Sequence, residues 1–550
     1  MREVPLSKMG TMKSINRIKW LFAAMVVFAS VTGYSQTSSF GVYMEPVSIS
    51  GLPGIHSFAH GEHNGKWLIV GGRKDGLHRR QPTSAFDVAG NNTSLVVIDP
   101  IAGQYWSAPL ATLPVALQEQ LSSTNMQYYQ TDTILYCTGG YGYSATAANH
   151  ITHENIVAIN VAGVINAVIN GLPVASYFRY QADTMFAVTG GHLKKIYDTY
   201  YLVGGNKFTG RYNPMGGASY TQAYTNQIRK FKISDDGSVL NVTHLPSYTD
   251  ATNLHRRDYN AVPQIMPDGK EGITAFSGVF KPTADIPFLD CVNLDSAGYA
   301  VNSTFSQYYN HYHCANIPVY SATANEMHTV FFGGIAQYYD SAGVLTMDNN
   351  VPFVKTIARV TRDNAGTMTE YKLPVDMPGL LGAGAEFMMA AGVPEYANHV
   401  IKYDALTSDT TLAGYIYGGI KSTGANIFFT NTGTQSSAYD QLLKVYIVKG
   451  SSVGVDKMNQ QSVSTLKMQV YPNPNDGNIH TNFYLQKAGE VMLSVSSGDG
   501  KLIEYKKLGN MRVGENQITY KLPDSAPKGT YIVTITTAEG ISTQKVVLSR

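Results

Sequence analysis

Six short clusters in this chain carry residue types suited to holding a polar ligand. They are His56-Ser57-Phe58, Gln127-Tyr128-Tyr129, Phe178-Arg179-Tyr180, Arg256-Arg257-Asp258-Tyr259, His311-Tyr312-His313-Cys314 and Glu386-Phe387-Met388. Each stands where a short strand pattern begins, so a repeating architecture would bring all six into one ring. The guanidinium forks of Arg179 and Arg257 match a carboxylate or sulfate. Tyr128, Tyr180 and Tyr259 offer rings to stack on a sugar face, and His56, His313 and Glu386 add hydrogen-bonding and proton-carrying groups. The plainer alternative is that these residues satisfy strand ends and pack a channel that holds no ligand.

Other chemistries find less support. His311 and His313 alternate on a strand and share a face, with Cys314 next to them, but no spacing supplies a third or fourth metal ligand. No Gly-x-Ser-x-Gly elbow, His-Glu-x-x-His helix or phosphate-binding Gly loop is present. No catalytic residue, metal or cofactor is therefore assigned. Three cysteines, Cys137, Cys291 and Cys314, allow at most one bridge, with Cys291 and Cys314 the nearer pair; the alternative is three buried thiols.

The elements that must position the six clusters are strands. The chain has 550 residues, 52 of them Gly and 37 Tyr, and only 15% are charged. That mixture suits many short strands joined by Gly-rich turns and argues against disorder. A net charge of +2 gives no electrostatic case for nucleic acid or an anionic membrane.

An apolar strand ending in two small residues recurs: WLIVGG at Gly72, ILYCTGG at Gly140, YYLVGG at Gly205, ITAFSG at Gly278, TVFFGG at Gly334 and YIYGG at Gly419. Successive pairs are 68, 65, 73, 56 and 85 residues apart, the mark of a repeat architecture. Each unit begins with a strand and a polar turn, and the apolar strand with its Gly pair follows. After an insert comes a third strand, such as 94–99, 155–160, 227–233, 287–294, 356–362 or 441–448. A last strand is expected before Leu-Pro, as at Leu113-Pro114, Leu172-Pro173, Leu245-Pro246 and Leu373-Pro374. Four strands per unit make a β-propeller blade, and six units make six blades over 37–450.

These units resemble the Kelch repeat family. The likeness rests on the apolar strand with its Gly pair and, in the first unit, on Ile98-Asp99-Pro100 and Trp106. Later units lack the Trp, and Ser277 replaces the first Gly of the fourth. The resemblance implies a propeller whose innermost strands line a channel. Some six-bladed Kelch propellers are sialic-acid epimerases, and copper-radical oxidases also use Kelch propellers, so a carbohydrate-active enzyme is the alternative to a binding module. No second His cluster matches the oxidases, and the Ser-x-Asp-x-Gly-x-Thr-Trp turns of sialidases are missing.

The two ends read as addresses. A basic stretch, Met12 to Lys19, precedes a twelve-residue apolar run from Trp20 to Val31. As a helix it rises about 18 Å, short of a hydrocarbon core of about 30 Å. Residues 1–36 are thus expected to be a signal peptide, cleaved near Ser35 or Gln36, with no membrane span elsewhere. After a polar linker over 451–466, residues 467–550 carry Val470-Tyr471-Pro472-Asn473-Pro474-Asn475, a Gly498-Asp499-Gly500-Lys501 turn, Gly529-Thr530-Tyr531 before a β-branched run, and a final Lys545-Val546-Val547-Leu548. On pattern this is a small antiparallel β-sandwich. Its motifs resemble the type A sorting domain of the type IX (Por) secretion system of Bacteroidetes. That implies delivery to the cell surface or beyond, with the secretion machinery as partner. Asp295-Ser296-Ala297 and Asp340-Ser341-Ala342 resemble O-glycosylation sites of that group and are equally explained as turns. The whole reads as an all-β secreted protein: a six-bladed propeller recognising a glycan or protein ligand, and a sorting domain behind it.

Overall fold

The computed structural model describes residues 40–81, 84–341, 344–450, 468–497, 502–537 and 540–549. The expected signal peptide, the linker over 451–466 and the 498–501 turn lie outside the described residues.

The described chain is nearly all β. Among the described residues 40–449, six sheets with at least four antiparallel strands each follow one another, and a seventh four-stranded sheet is formed by inserts. The first is Ala59–His63, Lys66–Val70, Ser94–Asp99 and Gln104–Pro109, paired in that order. The inner strands of the next five are Gln127–Thr131, His192–Ile196, Asn260–Ile265, Asn316–Ser321 and Leu380–Met389. The sixth sheet takes its outermost strand from the start of the chain: Phe40–Val47 pairs with Leu442–Lys449, Phe40 opposite Lys449. Sequence-distant ends thereby meet in one sheet and close the circle.

Backbone hydrogen bonds close the same circle on the inside. The amides of Asn125, Gly190, Asp258, His313, Gly384 and Ser57 donate to the carbonyls of Ser57, Asn125, Gly190, Asp258, His313 and Gly384 in turn, at 3.0, 3.4, 2.7, 3.1, 2.9 and 2.8 Å. Five inner strands are therefore tied to their two neighbours just before they begin, and the sixth, Leu380–Met389, at Gly384 within it.

The recurrent Gly pairs make the matching links farther out. Both members have positive φ in every complete pair. The second amide of each reaches into the following sheet: Gly72 to Ser123, Gly140 to Val188, Gly205 to Arg256, Gly334 to Leu381 and Gly419 to Ile55, at 2.7–3.1 Å. A Cβ on Gly139 would stand 1.9 Å from the Val188 carbonyl oxygen, so only glycine permits this approach. Ser277, standing where the fourth unit lacks its Gly, keeps φ at 55° and donates its hydroxyl to the Phe288 carbonyl at 2.6 Å.

The apolar faces between sheets form the core. Val70, Leu95 and Val97 of the first sheet meet Leu135, Cys137 and Val157 of the second, and each buried side chain of this size contributes about 1.5–3 kcal/mol. All three cysteines are buried free thiols, so Cys291 and Cys314 are not bridged.

Three features depart from the sequence reading. Val161–Asn170 is a helix, capped by the Asn160 side chain and ended by Gly171 at φ 65°. Leu172-Pro173 follows this helix and precedes the last strand of the second unit, Phe178–Ala182. Leu245-Pro246 and Leu373-Pro374 lie within last strands, Leu240–Thr249 and Met368–Asp376. The third strand of the fourth unit is shorter than expected, Cys291–Leu294.

Residues 468–548 form two further sheets. One orders Met468–Tyr471, Asn478–Leu485 and Gly514–Lys521; the other orders Leu502–Met511, Gly489–Ser497, Gly529–Thr537 and Gly540–Leu548. Their inner faces share one core, with Ile479, Phe483, Val491, Leu493, Val533 and Val546 at its centre. The Asn-Pro-Asn motif clasps the last strand. Asn473 accepts from the Val547 amide and donates to the Lys545 carbonyl, at 2.8 and 3.0 Å. Asn475 donates through backbone and side chain to the Val547 carbonyl. Among the described residues no helix is long and apolar enough to cross a membrane.

Candidate functional site

The ring of peptides divides the central space into two compartments. On the side of the inserts lies a cavity of about 700 Å³, within the range of small-molecule sites. Ser57, Asn125, Asp258 and His313 face both this cavity and the narrow channel on the other side.

Inserts from distant parts of the chain build the cavity walls. Tyr141–Ser144, Asn149–Thr152, Asn206–Gly210 and Tyr220–Tyr224 form an extra sheet. Its residues Tyr141, Phe208 and Tyr220 pack with Tyr212 and Phe86 into an aromatic wall, with ring centroids 5.1–6.0 Å apart. Arg80 ties three inserts together at the rim, donating to the Phe429 carbonyl at 2.6 Å and meeting Met215 Sδ at 2.9 Å.

Arg257 and Asp258 form the floor, joined by an ion pair. Arg257 also donates through Nε to the Tyr224 hydroxyl at 3.1 Å, and its guanidinium stands 5.4 Å from the Phe280 ring centroid. Tyr224 is held in place by stacking on His255, centroids 3.6 Å apart, and by accepting from the Phe280 amide. Arg73 is fully engaged by Asp75, Asn91 and the Asp87 carbonyl. Burial opposes ionisation of Asp75, but His56, whose Nε2 lies 3.8 Å away, and the hydrogen-bonded Arg73 outweigh it and hold its carboxyl at about 2. Burial in the aromatic surround holds His78 neutral, at about 4.

The channel carries a second polar group. His313 Nε2 lies 2.9 Å from Glu386 Oε1, and the Tyr128 hydroxyl neighbours the same carboxylate. Burial alone would raise Glu386, but His313, then His60 and Tyr128, pull it down to about 2. Burial, and then Glu386, raises the Tyr128 hydroxyl well above its ordinary value. Lys194 and His192 come from the third inner strand, and burial lowers both. His60 faces them with its Nδ1 buried and unbonded, held at about 4 mainly by burial.

Of the eight residues expected from sequence, five meet around this axis. Arg257 and His56 line the cavity, Tyr128 and Glu386 the channel, and His313 both. Tyr259 is buried beside it, its hydroxyl donating to the Val203 carbonyl at 2.6 Å. Arg179 and Tyr180 are the correction. They lie on Phe178–Ala182, the outermost strand of the second sheet, because the helix over Val161–Asn170 displaces that strand. Arg179 is spent on a two-pronged pair with Asp235 at 2.6 and 3.0 Å, and Tyr180 is 45% exposed.

The true third inner strand contributes His192 and Lys194, which the sequence reading missed. Two signals pointed to them. Val161, Val164, Ile165 and Val168 follow helical spacing between an Asn cap and a Gly. The inner strand must also directly precede the hairpin leading to Tyr200–Val203 and its Gly pair. His311 serves structure: its Nε2 lies 2.9 Å from the Gln307 carbonyl oxygen and its Nδ1 accepts from the Gln337 amide. Among the described residues no three His, Cys, Asp or Glu side chains gather as a metal site.

Comparison with known proteins identifies the C-terminal part. Residues 469–549 match the family model described as "Secretion system C-terminal sorting domain". The chain therefore carries a type IX sorting signal and is a secreted protein, delivered to the cell surface or the extracellular space. No curated protein matches the chain. Among solved structures, that of YjhT is 11% identical, covering 72% of this chain and 98% of its own, with a TM-score of 0.39. RAG in complex with one melted RSS and one unmelted RSS is 11% identical, covering 74% of this chain and 99% of its own, at 0.34. Sucrose-6-phosphate hydrolase from Lactobacillus gasseri is 8% identical, covering 90% of this chain and 88% of its own, at 0.26.

Proposed function

We propose that this is a surface-delivered binding protein whose six sheets form a Kelch-type propeller that recognises a glycan or protein ligand at the mouth of its channel. One observation carries the reading: an aromatic-walled cavity of about 700 Å³ stands on the ring of inner strands, with Arg257 and Asp258 on its floor. A concave, aromatic-walled cavity of that size favours a saccharide over a protein surface. In this reading residues 1–36 export the chain to the periplasm. Residues 467–550 engage the type IX machinery of a Bacteroidetes cell, and 451–466 link the two domains.

A glycan array probed with the secreted chain tests the ligand. Binding lost in Arg257→Ala supports the reading, and a blank array with intact protein sinks it. Ending the chain after Lys449 tests the route, and material left in the periplasm is the expected result.

A second reading, a carbohydrate-active enzyme of epimerase or oxidase type, draws on the His313–Glu386 pair, an imidazole nitrogen and a carboxylate oxygen 2.9 Å apart and close enough to exchange a proton. Turnover in a mutarotase and oxidase screen, abolished in His313→Gln, would favour it over binding alone.

A further inference from the structure

We infer that the ligand of the insert-side cavity is an uncharged saccharide, gripped by Arg257 and Asp258 acting together as donor and acceptor for neighbouring hydroxyls. This rests on the saccharide-binding reading and goes further, to the charge of the ligand.

The argument begins with the floor. Arg257 is 14% and Asp258 22% exposed in their side chains, and the two are paired. An anion drawn to Arg257 would meet the Asp258 carboxylate beside it, and like charges in a partly desolvated site repel. The other two arginines of the cavity wall are turned to partners of their own, Arg73 to a carboxylate and Arg80 to neutral groups. Arg73 is held by Asp75, and His78 is neutral. At the rim, Arg80 is turned to the Phe429 carbonyl, and the cavity is also lined by Asp285.

A sugar hydroxyl both donates and accepts, so a guanidinium N–H and a carboxylate oxygen side by side satisfy adjacent hydroxyls without any net charge on the ligand. Gln222, Asn349 and Asn350 line the same cavity and add amides with the same dual character. The aromatic wall of Phe86, Tyr141, Tyr212 and Tyr220 supplies apolar faces for the C–H side of a pyranose ring. The surroundings match a neutral, many-hydroxyl ring better than a carboxylate or sulfate.

The Asp258 side chain separates the two cases. Its φ of 49° is one that Asn tolerates well, so Asp258→Asn keeps the backbone ring in place. Titration calorimetry with the full secreted chain would use matched sugars: glucose against glucuronate, galactose against galacturonate, mannose against mannuronate. The uncharged member of any binding pair is expected to bind about tenfold tighter or more. Its affinity should hold between about 50 and about 500 mM salt. Asp258→Asn, with its thermal midpoint as the folding check, should weaken it about tenfold.

A tighter acidic member, or Asp258→Asn strengthening binding, overturns the uncharged-ligand assignment and leaves saccharide binding standing. Should Asp258→Asn fail to fold, Arg257→Gln on the same pairs decides. Equal weakening of both members fits the uncharged ligand, and selective loss of the acidic member overturns it. If no sugar binds, the saccharide reading itself falls.

Discussion

The Ser57 amide donates to the Gly384 carbonyl at 2.8 Å, a hydrogen bond across more than 300 residues of sequence that completes the inner ring of the propeller. The outer closure is made by Phe40–Val47 against Leu442–Lys449. Both bonds are non-local, so the last sheet gains its full order only when the start of the chain returns to it.

Phe40 anchors that return. It is fully buried, packs on His328 and Tyr403, and its carbonyl accepts from Arg359 at 2.9 Å. Phe40→Ala is expected to remove about 3–5 kcal/mol from propeller stability, read from the urea midpoint. A loss under about 1 kcal/mol would show that the closing strand is dispensable.

The Gly pairs are expected to be intolerant for two separable reasons. Gly418 has φ 72°, and a Cβ there would stand 2.0 Å from the Ile55 carbonyl oxygen. Gly103 has φ 64° with nothing within 4 Å. Gly103→Ala should cost only the left-handed backbone term of about 1–2 kcal/mol. Gly418→Ala should cost clearly more, or prevent folding, because two sheets must separate. Equal denaturation midpoints for the two variants would refute the close-approach argument.

Glu386 makes the fold acid-sensitive. Its folded value is about 2 against an ordinary 4.5, so the unfolded chain takes up its proton first. The stabilisation is complete above about 4.5 and lost as pH falls toward about 2. His60, held at about 4 instead of 6.5, acts in the same direction over the window above. Glu386→Gln should cost about 1–3 kcal/mol at neutral pH by leaving His313 without its carboxylate. It should also flatten the fall in stability between pH 4.5 and 2. An unchanged acid profile in that variant would exclude Glu386 as its source.

Asn475 is expected to matter as a clasp. It is 2% exposed, and its side chain bonds the Val547 carbonyl and the Gly477 amide at 3.0 and 2.8 Å. Asn475→Ala leaves the Val547 carbonyl its backbone bond but strands the Gly477 amide, and should destabilise the C-terminal domain by about 1–3 kcal/mol. Less protein should then reach the culture medium or cell surface. Normal delivery of a demonstrably destabilised domain would separate sorting from folding.

Much of this was legible in order along the chain. The Gly pairs at 71–72 through 418–419, the third strands such as Ser94–Asp99 and Thr356–Arg362, and the Tyr-Pro-Asn-Pro motif are local patterns, set by backbone sterics and strand periodicity. They were enough to read an all-β repeat protein with a sorting domain. What tertiary structure alone decided was which side chains meet. Arg179 and Lys194 are both cations near strand starts, yet one pairs with Asp235 on an outer strand and the other lines the channel. The difference lies in a ten-residue helix that moved the strand count by one. The cavity likewise draws Arg80, Tyr212 and Phe429 from inserts more than 100 residues apart. Local sequence sets the conformation of each insert, but the distances between inserts come from the closure of the ring, which no local pattern encodes.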